Sequence, residues 1–452
     1  MDWARPELIR PEHVRMGPQG PEVTGQALAV LQAFGTIEGV EHGLPRRRRE
    51  YQQARLAEVM AHARAHSPFW AARIPRGKVD LARLPLLTRA ALRSQVEAEG
   101  ALPVPMDQGG VHENATSGST SEPLRFFTTG TNAAYNAARY AFDDIASGRD
   151  ISLPITVRDS KADRVEMRDR WPSLTGEVWR TGPARCIPVA GLSMEEIVAL
   201  LLAEPPGHLA FAPAVVAALI DAAEAAGRPP GSVGEILTFG ETVPPRLRED
   251  ARRVLGMRIA DRYSCEEIGP IAFQCWKDDR HYHVASSNVI VEAVDDSGRK
   301  VAEGAPGNLV LTALNATATP ILRYNLGDIA RLLPRCACGH AGPALIDLQG
   351  RRKSLLRRPD GQRILYYTRA PEMMRIAPVR AFRVVQPDRA TLVLEVAADR
   401  ALTDAERDAL AALVRAETSE DFVVRTVEVE RIDWGRGGKR IVVLNLTEPE
   451  PE

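Results

Sequence analysis

Lysine is rare in this chain. Among 452 residues there are 58 lysines and arginines together, and only six of them are lysines. Arginine stays protonated near neutral pH and does not act as a nucleophile, so any chemistry that needs a lysine has few candidates. The six are Lys78, Lys161, Lys277, Lys300, Lys353 and Lys439.

Several other features are missing. The net charge of −1 provides no basic surface for a nucleic acid. No segment approaches the roughly 20 apolar residues of a membrane span, and the first residues lack the apolar run of a signal peptide. Five cysteines do not make a disulfide framework in a chain of this length. We therefore expect a cytoplasmic protein that binds neither nucleic acid nor membrane.

The order of the remaining patterns predicts an α/β fold. Helical periodicity alternates with short apolar runs of strand type, such as residues 235–239 and 289–294. The composition changes near Gly350, and the strands and helix predicted beyond it have the size of a small domain. We predict a large N-terminal α/β domain over residues 1–349 and a small C-terminal α+β domain over residues 350–452.

Three local predictions matter below. Residues 46–72 are predicted to form an amphipathic helix, with its basic run 46–49 on a solvated face. Thr88 is the expected N-cap of a helix that starts at Arg89. Residues 209–226 continue a helical pattern after two prolines.

A loop at residues 116–123 is rich in hydroxyl side chains. Small hydroxyl residues around a single glycine allow a loop to turn N–H and O–H donors inward, toward a phosphate. A polar surface turn has the same composition, so the loop alone does not decide between the two. Its candidate ligands are Thr116, Ser117, Gly118, Ser119, Thr120 and Ser121.

Four later segments carry chemically reactive or conformationally special residues. A strand-like run ends at Gly240 and Glu241, and a second one places Tyr263 ahead of Glu267. Asp328 follows a glycine turn, and Lys439 lies in a glycine-rich loop. Turns of this composition are common in proteins, so each segment on its own is also explained by structure alone.

Taken in order, the five segments resemble the motifs of the acyl-adenylate-forming superfamily, and specifically its phenylacetate-CoA-ligase-like branch. The resemblance extends from about residue 46 to residue 439. It implies an ATP-dependent ligase that adenylates a carboxylic acid, of aromatic or arylacetic type, and then transfers the acyl group to coenzyme A. It also implies that the C-terminal domain is mobile and that a homodimer is an option.

The resemblance implies a role for each matched residue. The hydroxyl-rich loop would hold the ATP phosphates, and Gly240 and Glu241 would line the adenine slot. Tyr263 would stack on adenine, and Asp328 would accept hydrogen bonds from the ribose, with Arg323 nearby. The two catalytic residues would be Glu267, as a ligand of Mg²⁺, and Lys439.

The chemistry of these residue types agrees with those roles. A carboxylate that attacks the α-phosphate brings two anions together, so Mg²⁺ and Lys439 would neutralise charge in the transition state. Glu267 provides the oxygen ligands that Mg²⁺ prefers. A lysine in a glycine-rich loop can enter for one half-reaction and leave for the next.

The chain departs from the family pattern in three places. One is a turn beyond the hinge, where the family has Arg-Gly and this chain has Arg358-Pro-Asp-Gly361. Glu122 stands where the phosphate loop usually has a lysine, and this exchange weakens phosphate binding unless Glu122 points away or an arginine substitutes. Lys353 and Ser354 stand where the hinge usually carries an acidic residue. Two alternatives therefore stay open: an adenylating enzyme with an acceptor other than coenzyme A, and a catalytically impaired nucleotide-binding protein.

Cysteines and histidines suggest a zinc site. Cys336 and Cys338, with Cys275 and one histidine, would supply three thiolates and an imidazole, which is a closed structural set. His281 and His283 lie on the same face of a predicted strand, so spacing does not choose between them. His340 is a third candidate, and buried reduced cysteines without metal are the alternative explanation.

The acid-binding pocket is expected to form from three segments. They are the helix that carries Tyr135 and Tyr140, the residues 211–213, and the loop around Phe239. The sequence does not identify the acid that the pocket holds.

Overall fold

The computed structural model describes most of the chain. The described ranges are 9–18, 20–77, 79–116, 123–159, 164–188, 192–203, 207–227, 234–351, 355–368, 370–432 and 442–447. Several residues singled out from the sequence lie outside these ranges, namely Ser117, Gly118, Ser119, Thr120, Ser121, Glu122, Lys353, Ser354 and Lys439.

The N-terminal part of the chain forms helices and small two-stranded sheets. In chain order its elements are β1 (Val14–Gly17), β2 (Gly20–Val23), α1 (Gly25–Glu41), α2 (Pro45–His66), α3 (Pro68–Arg73), α4 (Arg89–Glu99), β3 (Val111–Ala115), β4 (Arg125–Thr129) and α5 (Gly130–Ala146). Strand β1 pairs with β2, and β3 pairs with β4. The predicted cap of α4 is present, because Thr88 Oγ1 accepts a hydrogen bond of 3.1 Å from the Ala91 N–H.

A large mixed sheet follows. Its strands and the helices between them are β5 (Ile155–Asp159), β6 (Glu166–Arg168), α6 (Leu174–Val178), β7 (Ala184–Pro188), α7 (Met194–Ala203), β8 (His208–Ala210), α8 (Pro213–Ala225), β9 (Glu235–Phe239), α9 (Pro245–Asp250), β10 (Arg258–Cys265), β11 (Gly269–Gln274), β12 (His281–Val284), β13 (Val289–Val294), β14 (Pro306–Ala313), β15 (Tyr324–Leu333) and β16 (Ala344–Arg351). Helix α9 is continued by one π-helical turn, Ala251–Leu255.

The strand order in this sheet is β13-β14-β15-β16-β12-β11-β10-β9-β8-β5-β7-β6. Strands β7, β5, β8, β9 and β10 run parallel to one another, and the others join antiparallel. In β9, Ile236 packs with residues of α7 and α8, while Leu237 packs in a different cluster. A parallel strand that is buried on both faces has a continuous apolar run, as residues 235–239 do. The carboxyl ends of β9 and β10 therefore meet at one edge, where ligands bind in open α/β sheets.

The C-terminal part forms its own sheet and core. Its elements are β17 (Leu356–Arg357), β18 (Arg363–Ile364), α10 (Ala370–Met374), β19 (Val379–Gln386), β20 (Thr391–Ala398), α11 (Asp404–Glu417), β21 (Val423–Glu428) and β22 (Val443–Asn445). Four of the strands form a sheet in the order β21-β20-β19-β22. Apolar residues of α11, including Leu410 and Val414, pack on β20 through Leu392 and Leu394.

The two parts of the chain touch through charged and polar groups. Arg246 of α9 donates a hydrogen bond of 2.9 Å to Glu417 at the end of α11, and a second one to Glu372 of α10. A Cβ at Gly350 would clash with the hydroxyl of Thr242. The backbone at the predicted domain boundary therefore lies close against the segment after β9. The predicted boundary between residues 349 and 350 falls within β16; it stays a prediction.

The predicted α/β fold class is confirmed, but three local predictions were wrong. The single helix predicted over residues 46–72 is two helices, because α2 ends at His66 and α3 begins at Pro68. Residues 209–226 are not one helix, because Leu209 and Ala210 pair with β9 in the sheet and α8 begins only at Pro213. Proline fits the first turn of a helix and disfavours helical conformation in the residue before it. Arg48 is not on a solvated face: it is buried and donates a hydrogen bond of 2.7 Å to the carbonyl oxygen of Ala341.

Within the described ranges, no helix is both long enough and apolar enough to cross a membrane.

Candidate functional site

Tyr263 and Asp328 meet across the sheet, although the sequence separates them by 65 residues. Tyr263 Oη, on β10, donates a hydrogen bond of 2.6 Å to Asp328 Oδ2, on β15. Asp328 does not follow a turn, as the sequence had suggested; it lies inside β15, after Gly327 with a φ of +82°. A positive φ favours glycine, so Gly327 allows a local irregularity that a larger residue would resist. Two of the residues predicted to contact the nucleoside are thus held together.

Glu267 lies just beyond the end of β10 and is buried. Its Oε1 atom accepts hydrogen bonds from Arg89 Nη1 at 2.9 Å and from Tyr324 Oη at 3.2 Å. A buried carboxylate needs such donors, because leaving an ionised group unpaired in the protein interior is costly. The carboxylate that the sequence assigns to Mg²⁺ is therefore fixed in place by two separate elements, α4 and β15.

Arg89 joins Glu267 to the start of the hydroxyl-rich loop. Its second amino group, Nη2, donates a hydrogen bond of 2.8 Å to Thr116 Oγ1. The same hydroxyl oxygen accepts a hydrogen bond of 3.0 Å from the backbone N–H of Leu124, which closes the base of the loop. One guanidinium therefore contacts both the predicted phosphate loop and the predicted metal ligand.

The sequence reasoning did not identify Arg89. One signal was available: Arg89 is the first residue of α4, directly after its cap at Thr88. A cation in the first turn of a helix interacts unfavourably with the helix dipole, so a charged residue at this position needs a compensating partner. The structure supplies that partner as Glu267, 178 residues away in sequence.

Gly240 and Glu241 follow the carboxyl end of β9. Gly240 has a φ of +79°, and a Cβ at this position would meet no atom within 4 Å. The space beside its backbone is therefore open, as a flat ring lying on the strand end would require. Glu241 is half-buried at the same edge.

The side chain of Arg323 forms hydrogen bonds with other parts of the protein. It is 3% exposed, and its side chain donates to the carbonyl oxygens of Ala82, Leu84 and Gly298 and to the carboxylate of Glu292. Its backbone φ is +51°, which is unusual for a residue other than glycine. These contacts favour a structural role that ties the segment before α4 to the sheet; they do not support its predicted place beside the ribose.

Cys265 is partly buried and lies near the carboxylates of Glu267 and Asp328. Burial, together with the nearby charges of Glu267 and Asp328, raises the pKa of its thiol well above the usual range. The thiol therefore stays protonated, which favours a packing role for Cys265.

A cavity of about 370 Å³ opens on the other side of β10. Its lining consists of Ala137, Tyr140, Asp144, Ser173, Phe239, Arg262 and Ser264. The positive charge of Arg262 in this wall is balanced within the protein, because Arg262 forms ion pairs with both Asp143 and Asp144. Tyr140 and Phe239 are at the cavity as predicted, whereas Phe211 packs with α7 and α8 instead.

Four side chains converge where the end of β11, strand β12 and the connection between β15 and β16 meet. The ligand atoms of Cys275, His283, Cys336 and Cys338 all lie within 4.8 Å of one another, and we call this group the Cys/His cluster. Cys338 Sγ lies 3.2 Å from His283 Nε2, and Cys275 Sγ lies 3.8 Å from Cys336 Sγ. Burial lowers the pKa of His283 to about 3, so the imidazole is neutral, as a metal ligand must be.

The structure separates the three candidate histidines. His281 turns away and places its Nδ1 atom 2.8 Å from Asp278 Oδ2. His340 stacks on His283 with ring centroids 4.2 Å apart. Backbone N–H groups donate to two of the sulfur atoms: Lys277 to Cys275 and His340 to Cys338, each at 3.3 Å. His283 is thus the histidine of the cluster, and its surroundings provide donors that stabilise thiolates.

Known proteins of similar sequence share one activity. A phenylacetate-coenzyme A ligase of Thermus thermophilus is 26% identical over 335 residues, which cover 69% of this chain and 72% of that protein. The corresponding ligase of Escherichia coli (strain K12) is 26% identical over 310 residues, 63% of this chain and 67% of that protein. No family model matches the chain.

The chain is similar in sequence to phenylacetate-CoA ligases. A solved 2-hydroxyisobutyryl-CoA ligase, in the postadenylation state with 2-HIB-AMP, has the same fold with a TM-score of 0.67. It is 19% identical, and the alignment covers 90% of this chain and 91% of that one. The resemblance to the phenylacetate-CoA-ligase-like branch of the acyl-adenylate-forming enzymes is therefore confirmed.

Proposed function

We propose that this protein is an acid-CoA ligase that adenylates a carboxylic acid with ATP and then transfers the acyl group to coenzyme A. The observation that carries the proposal is the convergence of Arg89, Glu267 and Thr116 at one place, together with the hydrogen bond from Tyr263 on β10 to Asp328 on β15. The similarity to phenylacetate-CoA ligases supports an aromatic or arylacetic acid as the substrate.

The nucleoside would bind at the carboxyl ends of β9 and β10. Its base would lie on the open backbone at Gly240 and against the Tyr263 ring, which the hydrogen bond to Asp328 holds in one orientation. A carboxylate accepts about four hydrogen bonds, so Asp328 can bind ribose hydroxyls as well as the tyrosine. Stacking and hydrogen bonding together would orient ATP for attack on its α-phosphate.

The phosphates would bind at the loop that begins with Thr116. Arg89 lies at the base of this loop and provides the positive charge that the family's loop lysine would otherwise supply. Mg²⁺, when bound, would offset phosphate charge, and Glu267 has the oxygen ligands and the rigid setting to hold it. Lys439 remains the predicted bridge between the substrate carboxylate and the α-phosphate.

The organic part of the acid would occupy the cavity lined by Tyr140 and Phe239. The aromatic rings offer apolar contact, and the charges of Arg262 are already neutralised by two aspartates. If the substrate carried a second carboxylate or an amine, no described residue of this wall would offer it an opposite charge that is not already in an ion pair. The cavity therefore supports an uncharged aromatic side chain over a dicarboxylic or amino acid.

The Cys/His cluster would hold a structural zinc ion. Three thiols and a neutral imidazole, with backbone N–H donors to the sulfurs, form the donor set that Zn²⁺ prefers. We infer that Cys275, His283, Cys336 and Cys338 are the four ligands. The cytoplasmic location and the homodimer stay predictions.

Pyrophosphate release tests the function. Purified protein is incubated with ATP, Mg²⁺ and a panel of carboxylic acids, with and without coenzyme A. We expect release with aromatic or arylacetic acids and a thioester product when coenzyme A is present. Release without a thioester would indicate a different acceptor, and the absence of release with every acid would leave only the nucleotide-binding alternative.

Replacing Lys439 with alanine should abolish adenylation while ATP binding is largely retained, because the lysine acts on charge that develops in the transition state. The measurement compares pyrophosphate release with the equilibrium binding of ATP. Lys300→Ala, an exposed lysine of the large domain, is the control and should behave as the unmodified protein. Full adenylation activity in Lys439→Ala would contradict the assignment.

A further inference from the structure

We propose that a buried hydrogen-bond network positions the nucleotide-binding ends of β9 and β10 and links them rigidly to the Cys/His cluster. The network consists of Thr238, Arg248, Asp261, Gln274 and Tyr282, and we call it the buried polar bracket. The inference rests on the proposed function, because it concerns the site assigned there to ATP. Its residues do not touch that site; they act as positioning residues.

Asp261 lies at the centre of the bracket and is 4% exposed. Its Oδ1 atom accepts a hydrogen bond of 2.6 Å from Thr238 Oγ1, and its Oδ2 atom accepts one of 2.8 Å from Tyr282 Oη. Its backbone N–H donates to Gln274 Oε1 at 2.9 Å. This single residue of β10 is therefore bonded to β9, β11 and β12 at once.

Arg248 closes the bracket from α9. It donates to Tyr282 Oη at 2.6 Å and also to Gln274 Oε1. The Tyr282 hydroxyl thus accepts from an arginine and donates to an aspartate, so the direction of both hydrogen bonds is fixed. The opposite charges of Arg248 and Asp261 are joined through this hydroxyl, and removing it would leave both buried groups with fewer partners.

The position of the bracket in the sheet connects two sites. Gly240 lies two residues beyond Thr238, and Tyr263 lies two residues beyond Asp261. Gly240 and Tyr263 are both predicted to contact adenine. Residues two apart in a strand lie on the same face, so the bracket sets the face on which Tyr263 is presented. On the other side, Gln274 directly precedes Cys275 and Tyr282 directly precedes His283.

A second contact ties the opposite ends of the same strands. Arg258, the first residue of β10, donates to the carbonyl oxygen of Cys275 at 2.5 Å. It also donates to Glu235, the first residue of β9, at 2.7 Å. Strand β10 is therefore held to the end of β11 at two points, through Arg258 and Asp261, which restricts its freedom to slide or tilt.

Such precision matters for ATP more than for the acid. Well-oriented reactants account for a large part of catalysis, and a misplacement of about 1 Å costs about 100-fold. The bracket side chains lie on the same strand face as Tyr263, whereas the cavity residues Phe239 and Arg262 lie on the opposite face, and no member of the bracket lines the cavity. A weakened bracket should therefore raise the KM for ATP and leave the KM for the acid nearly unchanged.

The test uses Tyr282→Phe and Thr238→Val, each of which removes one hydrogen bond to the carboxylate of Asp261. Tyr282→Phe also removes the hydrogen bond that the hydroxyl accepts from Arg248. We expect the KM for ATP, and the dissociation constant of ATP measured by calorimetry, to rise about 10-fold, the effect of one hydrogen bond to a charged group. The KM for the acid should stay within about twofold, because the cavity wall is untouched. Thr238→Ser keeps the hydroxyl and should restore the affinity for ATP.

Ser67→Ala is the matched control. It removes another buried hydroxyl-to-carboxylate hydrogen bond, from Ser67 Oγ to Glu99 Oε2 at 2.5 Å, at the end of α4 away from Arg89. It should lower thermal stability without changing the affinity for ATP. Unchanged ATP affinity in Tyr282→Phe would overturn the inference. So would an equal loss of affinity for ATP and for the acid in Tyr282→Phe, Thr238→Val and the control Ser67→Ala.

The ATP-binding measurement also separates this inference from the proposed function. If the unmodified protein binds ATP but releases no pyrophosphate with any acid, the proposed function fails. The bracket is then judged by calorimetry alone, on whether Tyr282→Phe binds ATP more weakly than Thr238→Ser.

Discussion

Replacing Arg89 with alanine should lower kcat/KM for ATP about 100-fold, the loss that follows when one charge-stabilising donor is removed from a catalytic site. Arg89 donates to Glu267 and to Thr116, so its loss affects the predicted metal ligand and the predicted phosphate loop together. The carboxylate of Glu267 would also lose its charged partner inside the protein. Pyrophosphate release at varied ATP concentration measures the effect.

The conservative variant Arg89→Lys separates charge from geometry. Lysine keeps the positive charge but lacks the planar fork that reaches two acceptors at once, so an intermediate loss of about 10-fold is expected. Arg83→Ala removes an exposed arginine from the same segment and should leave the kinetics unchanged. Normal kinetics for ATP in Arg89→Ala would show that the arginine only supports the fold.

Arg89 also bears on the main departure from the family pattern. The sequence places Glu122 where a lysine was expected, and we reasoned that an arginine elsewhere could substitute. Arg89 meets that requirement at the base of the loop, on Thr116. The alternative of an impaired nucleotide-binding protein predicts no pyrophosphate release from the unmodified protein, so the same assay distinguishes the two.

The sequence was informative where function depends on a local motif. Glu267, Tyr263 and Asp328 were found from short segments, because each segment combines a reactive side chain with a strand end or a glycine. Their meeting in space depends on the curvature of the large sheet, since three strands lie between β10 and β15. That arrangement came from the resemblance, not from the segments themselves.

Long-range partners were the part that the sequence could not supply. Arg89 and Glu267 are 178 residues apart, and no local pattern pairs them. Arg323 stands in a segment that resembles a functional motif, and its guanidinium donates to carbonyl oxygens of residues more than 200 positions earlier. Its place near the ribose stays a prediction. In both cases the partner is chosen by tertiary packing, which overrides what neighbouring residues suggest.

The choice of histidine illustrates the same limit at shorter range. His281 and His283 share one face of a strand, so periodicity could not separate them. The register decides: His283 pairs with Phe273 on β11 and with Ala344 on β16, close to the three cysteines. His281 pairs with Ile346 and contacts Asp278 instead. Register is set by the whole sheet, which a single strand sequence does not reveal.

Replacing one cysteine of the Cys/His cluster should lower thermal stability more than any of the substitutions proposed above. Burial raises the pKa of Cys336 to about 12, so without a metal its thiol stays neutral and contributes only packing. A bound zinc ion would instead be held by thiolates and would link β12 to the segment after β15. Cys336→Ser should therefore lower bound zinc from about one ion per chain to near zero. It should also lower the midpoint of thermal unfolding by about 5 to 10 °C.

The control makes the same chemical change at another buried cysteine. Cys186 lies in β7, far from the cluster in the strand order, so Cys186→Ser adds a buried hydroxyl without touching a ligand. It should lose some stability but keep its zinc. A strong chelator should lower the midpoint of the unmodified protein and of Cys186→Ser, and leave Cys336→Ser unchanged. Protein purified without a histidine tag that contains no zinc, and that the chelator does not destabilise, would show that the cluster is a set of reduced cysteines.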